Sequence, residues 1–330
     1  MSVLKVHLLL AAFGLALVQP AQAQEVSPDQ VVGALEGTFG VNPGQRRNHI
    51  KGTCATGEFV GTTEAAAISR SALFSGEKIP VVARFSLPSG NPKLPDAART
   101  VRGMALQFTL PRNDVHNMAM LNAPMFGVAS PQAFFEQVVA GKPDPATGKP
   151  DPEKLKAFRE KYPETRGLAD YMAANNPPAS YASSAFYSIH TFKFIDAAKK
   201  VTLVRWRFVP QGGEVRLTEE EMKTLPGDFL EERLISATKS GPVRWDMIVT
   251  IGEAGDPETD PTKVWPAGRR EIKAGTLTIT AAMPQKGAAC EAINFDPLAM
   301  AAGIDATDDP VLQFRSPAYA VSYSKRFEGK

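Results

Sequence analysis

Histidine and cysteine are scarce in this 330-residue chain, at four and two residues, and that scarcity excludes several kinds of chemistry. His7 lies near the N-terminus, and His49, His116 and His190 stand far apart, with no pair at metal-ligand spacing. Without an H-E-x-x-H or C-x-x-C cluster, neither a zinc site nor a redox dithiol is expected. The chain has no G-x-x-x-x-G-K-[ST] loop to cradle a phosphate and no G-x-S-x-G elbow to present a serine. An excess of one charge is also missing, since 37 Lys and Arg face 35 Asp and Glu. No stretch clusters basic residues with interleaved aromatics, so there is no footprint for nucleic acid. Internal repeats are absent.

What is present is ordinary globular composition, 43% hydrophobic and 22% charged, in a chain long enough for a sizeable core. The 27 prolines and 26 glycines are spread along it, which points to many turns. At the N-terminus Lys5 precedes an apolar run from Leu8 to Val18, then Pro20 and Ala21-Gln22-Ala23. That order is a secretory signal peptide cleaved after Ala23, and the run falls short of the roughly 20 residues a bilayer span needs. Residues 1–23 are therefore expected to be removed, leaving one domain over 24–330, periplasmic or secreted, with no membrane span. Cys54 and Cys290 are either a disulfide or two buried thiols.

Ser27 with Pro28 predicts a short helix to Leu35. Extended segments follow at Gly57–Thr62, Ile79–Leu87, Ala105–Leu110 and Asn117–Phe126, rich in β-formers and bounded by turn residues. Helices are expected over Gln132–Val139, Lys154–Lys161 and Glu164–Met172, with a linker from Gly141 to Pro152. Strands resume at Tyr187–Ile195 and Val201–Val209 as a hairpin, then a helix between Glu219 and Ala237, then strands Val243–Ile251 and Leu277–Met283. From Phe295 onward the chain reads as irregular. Eight strands in two runs of four, with added helices and no βαβ alternation, predict an α+β fold built on an eight-stranded antiparallel barrel.

Two places carry candidate chemistry. His49 sits in Arg46-Arg47-Asn48-His49-Ile50-Lys51-Gly52, directly before the first strand. Near the C-terminus, Arg315 precedes Tyr319 by four residues, one turn if the stretch is helical. An Arg there would favour the phenolate, a hard anionic ligand suited to ferric iron. These stretches resemble the haem catalases: Arg46–Gly52 is similar to that family's R-V-V-H-A-K-G. Val82-Ala83-Arg84-Phe85-Ser86 resembles A-V-R-F-S, and Arg102–Phe108 resembles R-G-F-A-V-K-F. His190-Thr191-Phe192-Lys193, Asp260–Pro266 and Val311–Tyr319 match further motifs in the family's order.

The resemblance implies haem b as cofactor, with Tyr319 as axial ligand and Arg315 holding it ionised, backed by His190 and Asp309. It implies His49 as the group that moves a proton between the peroxide oxygens, with Ser86 on its other ring nitrogen. Arg46, Arg84 and Arg326 would pair with the haem propionates, and Phe134 would line the haem-side pocket. Two departures stand out. The family's distal asparagine is replaced by Leu121, leaving Asn122 as the nearest substitute, and the aspartate of V-R-D-P-R-G is absent before Arg102. The arm, wrapping segment and C-terminal helices of full catalases are also missing, so no NADPH is expected and a monomer or small homo-oligomer is. The chain thus resembles short, exported peroxidases related to catalases, reducing hydrogen peroxide or organic hydroperoxides with a small organic donor and little catalase turnover. Two alternatives remain open: a catalase-fold enzyme that rearranges hydroperoxides, through a channel with Met104, Met120, Leu121 and Met125, and a non-enzymatic exported barrel binding haem or another apolar ligand.

Overall fold

The structure is a computed structural model describing residues 25–328; the segment read as a signal peptide lies outside the described residues. Its centre is an antiparallel sheet that closes on itself. The strands are β1 (Gly52–Gly61), β2 (Lys78–Ser86), β3 (Gly103–Thr109), β4 (Val115–Leu121), β5 (Phe186–Tyr187), β6 (Phe192–Ile195), β7 (Val201–Pro210), β8 (Val243–Ile251), β9 (Glu271–Pro284) and β10 (Ile304–Ala306). They lie in the order β10-β6-β7-β5-β4-β3-β2-β1-β9-β8, and a β7–β8 pairing closes the ring. β5 and β6 are halves of one interrupted strand, so eight strands circle the barrel as the runs of β-formers predict; β10 is an addition on β6.

Alternation decides which side chains fill the barrel. Phe59, Phe85, Phe108, Phe186, Phe208 and Trp245 are fully buried inside it, with Phe59 edge-on to Phe108 at 5.5 Å. Burying each such side chain contributes on the order of 2 kcal/mol. The opposite parity of β2, β3 and β4 faces outward, toward a layer of helices.

The helices of the fold are α1 (Pro28–Phe39), α2 (Thr63–Ala66), α3 (Pro131–Ala140), α4 (Pro152–Lys161), α5 (Arg166–Ala174), α6 (Glu219–Thr224), α7 (Phe229–Ser240), α8 (Ala289–Ala292) and α9 (Pro310–Phe327). α1 starts at the predicted Ser27, whose hydroxyl accepts from Gln30 N in a capping box. The single helix expected over Glu219–Ala237 is two, interrupted at Pro226-Gly227.

The tail corrects the sequence reading most. Instead of irregular chain it carries β10 and the 18-residue helix α9. Asp309 caps α9, its Oδ1 accepting from Val311 N at 2.8 Å and Leu312 N at 3.2 Å, and Pro310 takes the position where a missing N–H costs nothing. Pro317 lies inside α9, where it removes one backbone hydrogen bond. Packing holds the helix regardless: Lys325 and Arg47 both pair with Glu36 of α1, and Ser316 donates to Asp296 at 2.5 Å.

Cys54 and Cys290 form a disulfide across a Cα separation of 5.6 Å. It joins β1 to α8, just past the end of β9, where the first and last barrel strands are paired. Among the described residues no helix is long and apolar enough to cross a membrane.

Candidate active site

Between the outer face of β2–β4 and helices α1, α3 and α9 lies a cavity of about 1540 Å³, mouth included. Strand register builds its floor. Gly52 pairs with Ser86, Ser86 with Gly103 and Gly103 with Leu121, one row across four strands. The next row runs Cys54, Arg84, Ala105 and Ala119. Small residues at Gly103, Ala105 and Ala119 leave a broad apolar floor.

His49 lies over that floor, in the segment entering β1. Its φ of +54° is unusual for a residue with a side chain. In this conformation Nδ1 meets Ser86 Oγ at 2.9 Å. A side chain at position 103 would crowd this pair, because its first carbon would stand 3.2 Å from the imidazole and 3.0 Å from Ser86 Oγ. His49 is half-exposed, but onto the cavity. Burial, then the charges of Arg84, Arg315 and Arg46, push its imidazole down to about 3, so it is neutral at ordinary pH.

Tyr319 enters from α9. Arg315, one turn earlier, donates from Nη2 to Tyr319 Oη at 2.9 Å, so the two share a helix face as the spacing requires. His190 also lines the cavity, and its Nδ1 lies 2.7 Å from Asp309 Oδ2. Asp309 therefore uses one carboxylate oxygen to start α9 and the other to hold His190. The strand expected over Tyr187–Ile195 breaks at this point: Ile189, with φ +52°, turns the chain so that His190 faces the cavity. Burial pushes the His190 imidazole down, against the pull of Asp309.

Three arginines complete the wall. Arg46 Nη2 donates to Cys290 O and Ile293 O, Arg84 to His49 O and Gln285, and Arg326 to Ala292 O. Burial, with Arg84 and Arg326 as neighbouring positive charges, pushes the Arg46 guanidinium down from its ordinary value, and an anion among the three would relieve it. Phe134 lines the opposite side, stacked on Phe126 at 6.1 Å. Asn122 is not part of this wall. Its Oδ1 accepts from Arg102 N at 2.6 Å, which turns its side chain away, and Leu121 occupies the cavity position instead. Two wall-builders escaped sequence reasoning, Gly103 and Gln285. Gly103 was visible within Arg102-Gly103 but carries no side chain to suggest a role, and Gln285 has no local signal.

Neutral buried histidines make a prediction for stability. His49, His116 and His190 are all pushed down by burial, His116 to about 3, whereas unfolded histidine titrates near 6.5. Between those values the unfolded chain binds more protons, so stability should rise with pH and be lost as pH falls below about 6. With three groups the slope should approach about 4 kcal/mol per pH unit. Urea titrations from pH 4 to 8 will measure it, and a midpoint flat across that range would contradict neutral burial.

A barrel that sets a serine-held histidine across an apolar slot from an arginine-held tyrosine is the architecture of haem catalases and the peroxidases that share their core. The sequence comparisons agree, and this chain belongs to the catalase family: residues 43–330 match the family model described as Catalase. It is 60% identical over 97% of its length to a catalase-related peroxidase of Synechococcus elongatus, covering 94% of that protein. A catalase-related peroxidase of Mycolicibacterium paratuberculosis is 34% identical, with 91% of this chain and 95% of the relative covered. A bacterial catalase of known structure superposes with a TM-score of 0.79 at 27% identity, over 86% of this chain and 58% of that one. The chain thus spans a little over half the length of that catalase.

The family implies haem, and the residues present fit it. The floor is flat where Gly103 lacks a side chain, His190 keeps a buried Nε2 without a hydrogen-bond partner among the described residues, and Arg46, Arg84 and Arg326 bring together positive charges that propionates would balance.

Proposed function

We propose that this protein is a haem peroxidase that reduces hydrogen peroxide or organic hydroperoxides with a small organic donor, with weak or no catalase turnover. The observation that carries the reading is the neutral, Ser86-held His49 facing Tyr319 and Arg315 across one cavity. Haem b bound there would supply the redox chemistry, taking up two oxidising equivalents from peroxide and passing them to the donor. Tyr319 would ligate its iron, with the Arg315 guanidinium hydrogen-bonded to the ligating oxygen at 2.9 Å. His190 and Asp309 stand behind Arg315 to fix its surroundings, while Arg46, Arg84 and Arg326 would hold the propionates.

His49 moves the proton. With Nδ1–H donated to Ser86 Oγ, Nε2 accepts a proton from the nearer peroxide oxygen and returns it to the farther one. Protonated, the farther oxygen can leave as water, or as an alcohol from an organic hydroperoxide, when the O–O bond breaks, with the two oxidising equivalents of the oxygen left behind taken up by bound haem. Leu121 supports the limit on catalase turnover. A second peroxide giving up two electrons must be oriented, and a leucine offers no hydrogen bond to orient it. Export is part of the proposal: the Cys54–Cys290 disulfide supports an oxidising compartment.

The test is spectroscopic. Haem added to the purified protein is expected to give the charge-transfer bands of a ferric tyrosinate, which peroxide then shifts. A dye donor should be oxidised with little oxygen released. Vigorous oxygen evolution would overturn the peroxidase assignment, rearranged products from a lipid hydroperoxide would favour the isomerising alternative, and no haem uptake would reduce the reading to fold alone.

A further inference from the structure

Three of the cavity arginines, Arg46, Arg84 and Arg326, are anchored by one short segment, residues 285–293. Gln285 Oε1 accepts from Arg84 Nε at 3.1 Å and Nη2 at 2.7 Å, while its Nε2 donates to Ile50 O at 2.9 Å. Arg84 Nη2 also donates to His49 O at 2.6 Å and Ile50 O at 3.3 Å. The carbonyls of Cys290, Ile293 and Ala292 receive Arg46 and Arg326. The disulfide ties this segment to Cys54, directly across the ladder from Arg84. Gly52 completes the passage, since any side chain there would begin 2.5 Å from Arg84 Nη2.

Through Arg84 this segment reaches the backbone of His49, whose φ of +54° is costly by about 1 kcal/mol or more and persists only if its surroundings impose it. We propose that Gln285 is a positioning residue for proton transfer: by holding Arg84 against the His49 and Ile50 carbonyls, it keeps His49 aimed at the cavity with Nδ1 on Ser86. The catalytic part of this role rests on the peroxidase reading. An amide suits the position because it accepts from Arg84 and donates to Ile50 O at once. A carboxylate keeps the first contact and loses the second; alanine loses both.

The experiment compares wild type with Gln285→Ala and Gln285→Glu. In haem-free protein, hydrogen exchange of the Ile50 amide, which donates to Ser89 O, should quicken at least tenfold in Gln285→Ala. In the ferric haem protein, cyanide association, which needs a base to take the proton of hydrogen cyanide, and the peroxide reaction should both slow by about tenfold to a hundredfold. The Soret and charge-transfer bands should not move, because Tyr319 and Arg315 are untouched. Gln285→Glu should fall between, and it carries the test alone if the alanine variant does not fold. Wild-type exchange and wild-type rates in the variants would overturn the proposal. A wild type that takes up no haem would sink the peroxidase reading and the catalytic role with it, while unchanged exchange would separately remove the clamp.

Discussion

Replacing His49 with alanine is expected to slow the reaction with hydrogen peroxide by about a thousandfold while leaving haem uptake intact. The size follows from what a positioned acid–base group contributes, roughly 10²- to 10⁴-fold. His49 is well placed for it. Its imidazole is held near a pKa of 3 by burial and three arginine charges, so the basic nitrogen is free at every ordinary pH. Ser86 Oγ at 2.9 Å fixes the ring, and in the tautomer that donates Nδ1–H to it Nε2 is the base. The wild-type rate should accordingly be flat from about pH 5 to 8 and fall only as pH approaches 3. Ser86→Ala, which frees the ring without removing it, should cost less, about tenfold. Stopped-flow absorbance at the Soret band measures these rates on the ferric haem protein. A His49→Ala rate within a few-fold of wild type would show that some other group moves the proton.

Much of this site could be read from the chain before any coordinates. The eight barrel strands are legible as short runs rich in β-formers bounded by turn residues, because β-branched and aromatic side chains suit a pleated, half-buried surface. The spacing of Arg315 and Tyr319 puts them on one face once the stretch is helical, as it is in α9. What stayed hidden depended on contacts between distant segments. The helix carrying Arg315 and Tyr319 was obscured by Pro317, which local rules take as a break and which packing against α1 overrides. The row Gly52, Ser86, Gly103 and Leu121 exists only once four strands are in register. The turn at Ile189 interrupts a run whose composition is wholly β, because the site needs His190 to face inward. Asn122, the nearest substitute for the family's distal asparagine, commits its amide oxygen to Arg102 N, a contact between two strand ends that no local pattern shows.

The second large effect should come from Tyr319→Phe. Removing the only atom of that side chain able to ligate iron should weaken haem binding by more than about a hundredfold, since even changes beyond the ligand shell cost 10- to 100-fold in metal affinity. The remaining complex should lose the charge-transfer bands of the tyrosinate. Arg315→Ala should be milder, because the ligand atom stays and only its 2.9 Å partner goes; about tenfold weaker binding is expected. Asp309 allows the support behind them to be separated from the helix itself. Asn is as good a cap as Asp, so Asp309→Asn should preserve α9 while replacing the carboxylate that His190 meets at 2.7 Å. Haem affinity and the charge-transfer bands should then shift without loss of helix content by circular dichroism. Haem titrations followed at the Soret band rank the three variants. If Tyr319→Phe bound haem as tightly as wild type with its bands unchanged, the ligand would have to lie elsewhere, and α9 would be a wall of the cavity instead of its floor of attachment for iron.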